Sequence, residues 1–280
     1  MLLTERSGAR LIGYTCGIPM SREHRHSGGR PGAPFYPEPR LCQDFPDAHG
    51  RQRPVVQETG RPNGAGNGRV HGMSGVSEEL QAVPSEAELE VDHRLLQVTP
   101  QDTMRGMFFR SVKEAIFALR GQSAMEECLK ECGGVRSFVD LFAYPAEDFL
   151  RMARRAAWLM QGPAGGFEQS MRMLGYMGTA VFLGSQVGKA MQVLISGTPK
   201  RVIEYLPMAY KVTTPAGGTC SVMFPGHTRA IVTFERDFLP RPYVEGSLEA
   251  HLKQAGARSA RIIGRMAGPV SCEYDMSWDF

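Results

Sequence analysis

Several features that define common protein classes are missing from this chain. The most apolar stretch, Met173–Gly184, has only 12 residues, whereas a helix needs about 20 to span a bilayer. Neither sign of charge dominates, since 32 basic residues stand against 29 acidic ones. A net charge of +3 is too small to indicate a nucleic-acid or anionic-membrane partner. We therefore expect a soluble protein with no membrane span. A cytoplasmic location is expected because the six Cys show no disulfide framework and no signal-peptide pattern is present.

Lysine is absent from the first 72 residues, although Arg, Gly and Pro are frequent there. This segment holds ten Arg against six acidic residues, so the remaining residues carry a net charge of −1. It shows no apolar period and cannot bury enough surface to offset the ordering of its backbone. We expect residues 1–72 to be disordered, or to be an extension upstream of a true start at Met73. We interpret residues 73–100 as a leader and 101–280 as a single domain.

The first half of that domain has the apolar period of helices. Apolar residues from Met104 to Leu119 recur every three or four positions, and Gly121 is expected to end this helix. Pro145 is expected at the first position of a later helix, because its fixed φ suits that position. The other predicted helices are Ala124–Cys132, Glu168–Ile195 and Pro199–Tyr205.

The second half has the pattern of strands. One helix is predicted at Tyr243–Ala255. Four strands are predicted around it, at Thr219–Phe224, Thr228–Glu235, Ser259–Met266 and Val270–Trp278. In the last strand Tyr274, Met276 and Trp278 alternate with polar residues, which predicts one buried face. The predicted fold class is α+β, with a helical N-terminal half followed by an antiparallel sheet of about four strands.

Signals for catalysis or metal binding are weak. Cys128 and Cys132 lie four residues apart on a predicted helix, but a zinc site needs four ligands and no second pair accompanies them. They are expected to be ordinary buried residues. Cys220, His227 and Asp237 have the residue types of a hydrolase site, without a surrounding motif. We predict no metal and no cofactor, and a hydrolase-like enzyme remains the alternative function.

Apolar and aromatic residues on the longest helix favour a binding function. Met and Tyr suit a variable apolar ligand, since Met adapts its shape and Tyr adds a hydroxyl at the edge. We predict a pocket between this helix and the sheet, lined by Met173, Tyr176, Met177, Phe182, Gly184, Tyr205, Met208 and Tyr210. The same residues could simply fill the core. The favoured function is a non-catalytic regulatory or signalling module that binds a small apolar ligand or a protein partner, with homodimerisation left open.

Short motifs spread over residues 102–278 resemble a paralogous family of unknown function that is expanded in myxobacteria. They are Arg105–Phe109, Tyr144-Pro145, Arg155–Ala157, Leu174–Tyr176, Gly184 to Gly188, Gly197–Arg201, Pro242–Glu249, Ala255–Ala257 and Trp278. None of them falls in residues 1–72, which agrees with a start at Met73. The resemblance implies no established activity.

The C-terminal part is more distantly similar to four-vinyl-reductase-type and haem-NO-binding domains. The similarity consists of the Tyr243-Val244-x-Gly246 helix, a short Ala-Gly turn and a closing hairpin that contains Cys272. It implies a fold that senses small ligands or holds lipids. The Tyr-x-Ser-x-Arg haem motif is absent, and no predicted helix before residue 200 carries His. The resemblance therefore does not imply haem here.

Overall fold

Helices precede an antiparallel sheet in the structure, a computed structural model that describes residues 83–134, 137–184, 188–190, 192, 197–214 and 218–280. The predictions for residues 1–72 and for a start at Met73 lie outside these residues. The described helices are α1 Glu86–Gln97, α2 Gly106–Lys130, α3 Ala146–Ala164, α4 Phe167–Gly184, α5 Pro199–Glu204, α6 Leu206–Thr213 and α7 Arg241–Gln254. The strands are β1 Thr103–Arg105, β2 Ala143–Pro145, β3 Thr219–Gly226, β4 Arg229–Glu235, β5 Ser259–Gly268 and β6 Ser271–Asp279. The predicted α+β class is confirmed.

None of the helices in the described part of the chain combines the length and the apolar character needed to cross a membrane.

Glycine shapes the long helix α2. Gly121 has φ +80° and ψ −172°, so the helix bends there and then continues to Lys130. A positive φ is open to glycine at little cost, because it has no Cβ. The predicted break at Gly121 is confirmed, and the two helices predicted on either side of it are two arms of one kinked element.

Helix α1 lies in the segment 73–100, which was expected to be a leader. Ser85 and Glu88 form a capping box at its start, in which the Glu88 backbone N–H donates to Ser85 Oγ at 3.3 Å and the Ser85 N–H donates to Glu88 Oε2 at 2.8 Å. Val91 and Arg94 are fully buried. The Arg94 guanidinium donates to the backbone carbonyl of Asp237 and, at 2.9 Å, to Glu90. A boundary at residue 101 would separate this helix from the elements on which it packs.

Other predictions differ in detail. Pro145 caps α3 rather than occupying its first helical position. The helix predicted to run to Ile195 is described as α4 only to Gly184, and most residues between 185 and 196 lie outside the described part. Helix α6 follows α5 directly at Tyr205 and was not predicted.

The four-stranded sheet has the order β3-β4-β6-β5, with every neighbouring pair antiparallel. Tyr274, Met276 and Trp278 on β6 are at most 1 % exposed, which confirms the predicted buried face. Helix α7 connects β4 to β5 and packs on α4. This crossing is close: a Cβ on Gly175 would lie 1.9 Å from the Tyr243 carbonyl, and a Cβ on Gly246 would lie 1.9 Å from the Arg172 carbonyl.

Ion pairs fix α7 against α1 and α4. Arg241 Nη1 lies 3.1 Å from Glu245, and its Nη2 lies 2.9 Å from Glu168 on α4. The Arg241 backbone N–H donates to Glu90 on α1 at 2.6 Å. Arg172 on α4 pairs in turn with Glu245 at 3.0 Å. Since Arg241 and Glu245 are largely buried, the loss of one partner would leave a poorly solvated charge on the other.

Candidate ligand cavity

A cavity of about 320 Å³ lies between α2, α4, α6 and α7, beside strand β4. This volume is at the lower end of the range, about 300–1,000 Å³, that is usual for small-molecule sites. Most of the lining is apolar: Met107, Phe108, Phe182, Leu183, Val202, Leu206, Phe234, Leu239, Val244 and Leu248. The elements around the cavity could therefore enclose a small apolar molecule.

The helical period of α4 decides which of the predicted site residues reach this cavity. Gly178, Thr179, Phe182 and Leu183 share one face and line it, and the predicted Tyr205 and Tyr210 line it too. The other predicted residues are not among the described lining: Met173, Tyr176, Met177, Gly184 and Met208. The first four of these lie on other faces of α4, and Met208 is 64 % exposed on α6.

One polar position in the cavity is formed by Asp237 and Tyr210. Asp237 is 4 % exposed, and its Oδ1 accepts a hydrogen bond from the Leu239 backbone N–H at 3.3 Å. Burial raises the pKa of Asp237 to about 6, although the positive charge of Arg94 acts in the opposite direction. The Tyr210 hydroxyl is buried, and its polar neighbours are the Asp237 carboxyl and the Thr214 hydroxyl. Burial, and then the charge of Asp237, raise the pKa of this hydroxyl.

A second polar position joins α4 to α7. Thr179 Oγ1 donates to Ser247 Oγ at 2.7 Å, and His251 Nδ1 donates to the Ser247 carbonyl at 2.8 Å. Burial lowers the pKa of His251, so the ring is neutral at physiological pH. These residues were missed as cavity residues, because Ser247, Leu248 and His251 look from sequence like the border of an ordinary core-facing helix.

Asp237→Asn is expected to stabilise the protein at neutral pH. The folded-state pKa of Asp237 lies above its ordinary value of 3.8, so folding favours the protonated carboxyl and stability falls as pH rises from about 4 to 6. The uncharged Asn avoids this loss, up to about 3 kcal/mol. Urea unfolding should show a higher free energy of unfolding for the variant than for the wild type at pH 7.5, and no difference at pH 4. An equal change in the free energy of unfolding at both pH values would contradict a raised pKa for Asp237.

The hydrolase-type residues do not form one site. Cys220 pairs with Phe234 at the start of the β3–β4 hairpin, whereas His227 is exposed in the loop at the other end, about 20 Å along the strand. Burial, and then the charge of Asp237, raise the pKa of Cys220 to about 12, so the thiol is protonated at neutral pH. A nucleophilic arrangement of Cys220, His227 and Asp237 is therefore wrong for this fold.

Cys128 on α2 and Cys132 in the turn that follows it are both buried, as predicted. Burial is the main cause that raises the pKa of Cys128 and of Cys132 to about 12. Within the described ranges, no group of three or more His, Cys, Asp or Glu side chains is arranged to hold a metal ion.

Residues 97–279 match a family described as "Protein of unknown function (DUF2378)". No curated protein matches the chain.

Solved structures with the same fold include H-NOX proteins. The Fe(II) unliganded H-NOX protein from K. algicida superposes with a TM-score of 0.50 and 12% identity, over 63% of this chain and 97% of that one. The H-NOX protein from S. oneidensis in the Fe(II)NO ligation state gives a TM-score of 0.51 and 10% identity, over 63% of this chain and 100% of that one. At such low identity the similarity shows the fold alone.

The cavity residues do not fit haem, the group that this fold suggests. His251 could serve as an axial ligand by residue type. However, the described lining contains no Lys or Arg to pair with the two propionates, and its acidic residue, Asp237, would repel them. The chemistry of the described lining instead suits an uncharged, mainly apolar molecule.

Proposed function

This chain belongs to the DUF2378 family of proteins of unknown function, and we propose that its α+β domain is a non-catalytic regulatory module that binds a small apolar ligand. The observation that carries the proposal is the cavity of about 320 Å³ with a mainly apolar lining. An apolar molecule that enters it leaves water and gains dispersion contacts with the aromatic and aliphatic walls.

The position of the cavity is suited to signalling. Its walls come from the helical half and from the sheet half. Helix α7 joins the two, because Arg241 pairs with Glu168 on α4 and Glu245 accepts a hydrogen bond from the Gly264 N–H on β5. A ligand in contact with both halves stabilises the arrangement in which they meet, and this is how ligand binding biases a conformational equilibrium. The proposed regulatory role rests on this arrangement.

A cavity-filling substitution tests the proposal. Ala209 on α6 lines the cavity, so Ala209→Phe places a ring where the ligand would lie. We expect it to weaken binding of the apolar fluorophore N-phenyl-1-naphthylamine at least about tenfold, because the ring and the ligand compete for the same volume. Fluorescence titration of the full chain measures this, with far-UV circular dichroism to show that the fold is retained.

Ala180→Phe is the matched control, since Ala180 is exposed on α4 and is not among the described lining residues. It should bind the fluorophore as the wild type does. Equal binding by both variants, or no saturable binding by the wild type, would contradict the proposal. Stable binding of haem with a Soret band that His251→Ala abolishes would also contradict it, as would ester hydrolysis that Cys220→Ser abolishes.

A further inference from the structure

The guanidinium of Arg94 on α1 is hydrogen-bonded to both oxygen and sulfur atoms. Its Nε donates to Glu90 Oε1 at 2.9 Å, and its Nη1 donates to the backbone carbonyl of Asp237. Its Nη2 lies 3.1 Å from Cys272 Sγ and 3.7 Å from Met266 Sδ. Sulfur is a weak acceptor, so Nη2 of this fully buried cation is bonded only to weak acceptors among the described residues.

Met266 lies where this buried cluster reaches the surface. It is opposite Cys272 in the register of β5 and β6, and β5 is an edge strand of the sheet. Cys272 is 2 % exposed, whereas Met266 is 40 % exposed. Burial raises the pKa of the Cys272 thiol, so its S–H is intact at neutral pH and donates to Met266 Sδ at 3.4 Å. Two donors, Arg94 and Cys272, therefore converge on the thioether of a partly exposed residue.

The distance between Arg94 Nη2 and Met266 Sδ suits a sulfoxide at this position. A charge-assisted hydrogen bond from N–H to oxygen measures about 2.8 Å. With an S–O bond of about 1.5 Å and an angle of about 120° at the oxygen, such a bond requires about 3.8 Å between nitrogen and sulfur. The observed separation is 3.7 Å. An oxygen atom added to the side of Sδ that faces Arg94 would therefore lie within hydrogen-bond distance of the guanidinium.

We propose that Met266 is a modification site, which hydrogen peroxide oxidises to the sulfoxide, and that Arg94 binds the sulfoxide oxygen. In this reaction the O–O bond of the peroxide breaks, and one of its oxygen atoms forms a bond to Sδ. The sulfur is oxidised by two electrons, and the other peroxide oxygen leaves as water with both protons. The sulfoxide oxygen accepts a charge-assisted hydrogen bond from Arg94, which is stronger than the bond to the thioether.

Oxidation at this position strengthens the contact between α1 and the sheet. Arg94 belongs to α1 and Met266 to β5, and the same guanidinium also binds the carbonyl of Asp237, which follows β4. Methionine oxidation usually disrupts a packed interior, because it introduces a polar oxygen. At Met266 that oxygen meets a cation, so the oxidised protein is the more stable form.

Peroxide treatment of the full chain tests the assignment. Peptide mass spectrometry should find one added oxygen atom on Met266, under conditions that leave the fully buried Met152 and Met171 unmodified. After catalase has removed the peroxide, differential scanning fluorimetry compares the melting temperature of treated and untreated protein. The change should be more positive in the wild type than in Met266→Leu by about 3 °C or more, since Leu has a similar volume but no sulfur.

Two further variants identify the sulfur that is involved. Met223→Leu removes a methionine that is 58 % exposed on β3, and this variant should respond to peroxide as the wild type does. Cys272→Ala removes the neighbouring thiol but leaves Met266 and Arg94, so the effect on the melting temperature should persist. Hydrogen exchange followed by mass spectrometry supplies a local readout, because the amides of α1 should exchange more slowly after oxidation.

Four results would overturn the proposal. Met266 could stay reduced while the exposed Met208 and Met223 are oxidised. The oxidised wild type could show no gain in melting temperature over Met266→Leu treated in the same way. The gain could be abolished by Cys272→Ala, which would assign the oxidation to the thiol, or hydrogen exchange in α1 could be unchanged. None of these results bears on the proposed function, because Met266 is not among the described residues that line the cavity.

Discussion

Replacing Trp278 with alanine is expected to lower the free energy of unfolding by about 3–5 kcal/mol. Trp278 is 1 % exposed on β6 and lies opposite Ala260 on β5. Its indole N–H has no hydrogen-bond partner among the described residues, so the loss is one of packing and leaves a cavity. Urea unfolding followed by circular dichroism measures the change.

Phe280→Ala is the control for this prediction. Phe280 is two residues further along and is 56 % exposed, so its truncation should change the free energy of unfolding by less than about 0.5 kcal/mol. If Trp278→Ala were as mild as Phe280→Ala, the buried face of β6 would be assigned incorrectly.

Deletion of residues 1–100 is expected to abolish cooperative folding, whereas deletion of residues 1–72 should leave the melting temperature unchanged. The longer deletion removes α1, and with it Val91 and Arg94, both fully buried. It also leaves the Asp237 carbonyl without Arg94 and the Arg241 backbone N–H without Glu90. The unsatisfied groups lie beside the cavity, so the site would be lost with the fold.

Arg94→Met tests the same contacts without shortening the chain. Removing one member of a buried ion pair typically costs about 3–5 kcal/mol, because the partner, here Glu90, is left as an uncompensated charge. Differential scanning fluorimetry of the two deletions and of this variant provides the comparison. A normal melting temperature for the chain that lacks residues 1–100 would show that α1 is dispensable.

The elements that sequence predicts best are those whose apolar period is simple. Tyr274, Met276 and Trp278 alternate strictly with polar residues, and the structure buries all three. Helix α1 was not predicted because its buried face includes Glu90 and Arg94, which form an ion pair at 2.9 Å. Charged residues at such positions resemble a solvated face until the partner elements are known.

The site was predictable only in part, for a geometric reason. The residue types were suitable along much of α4, but the face toward the cavity is set by the close crossing with α7 at Gly175 and Gly246. That crossing turns Phe182 toward the cavity and leaves Gly184 with open space where its Cβ would be, among the described atoms. The apolar period of a single helix does not show which elements from distant parts of the sequence contact it.

Nuclear Overhauser contacts between bound N-phenyl-1-naphthylamine and the full-length protein test the central claim most directly. The account predicts contacts from the aromatic protons of the fluorophore to the methyl groups of Val244 and Leu248, which line the cavity. It also predicts contacts from these protons to the ring of Tyr210. Contacts confined to exposed side chains such as Met208, with none to Val244, Leu248 or Tyr210, would contradict the account.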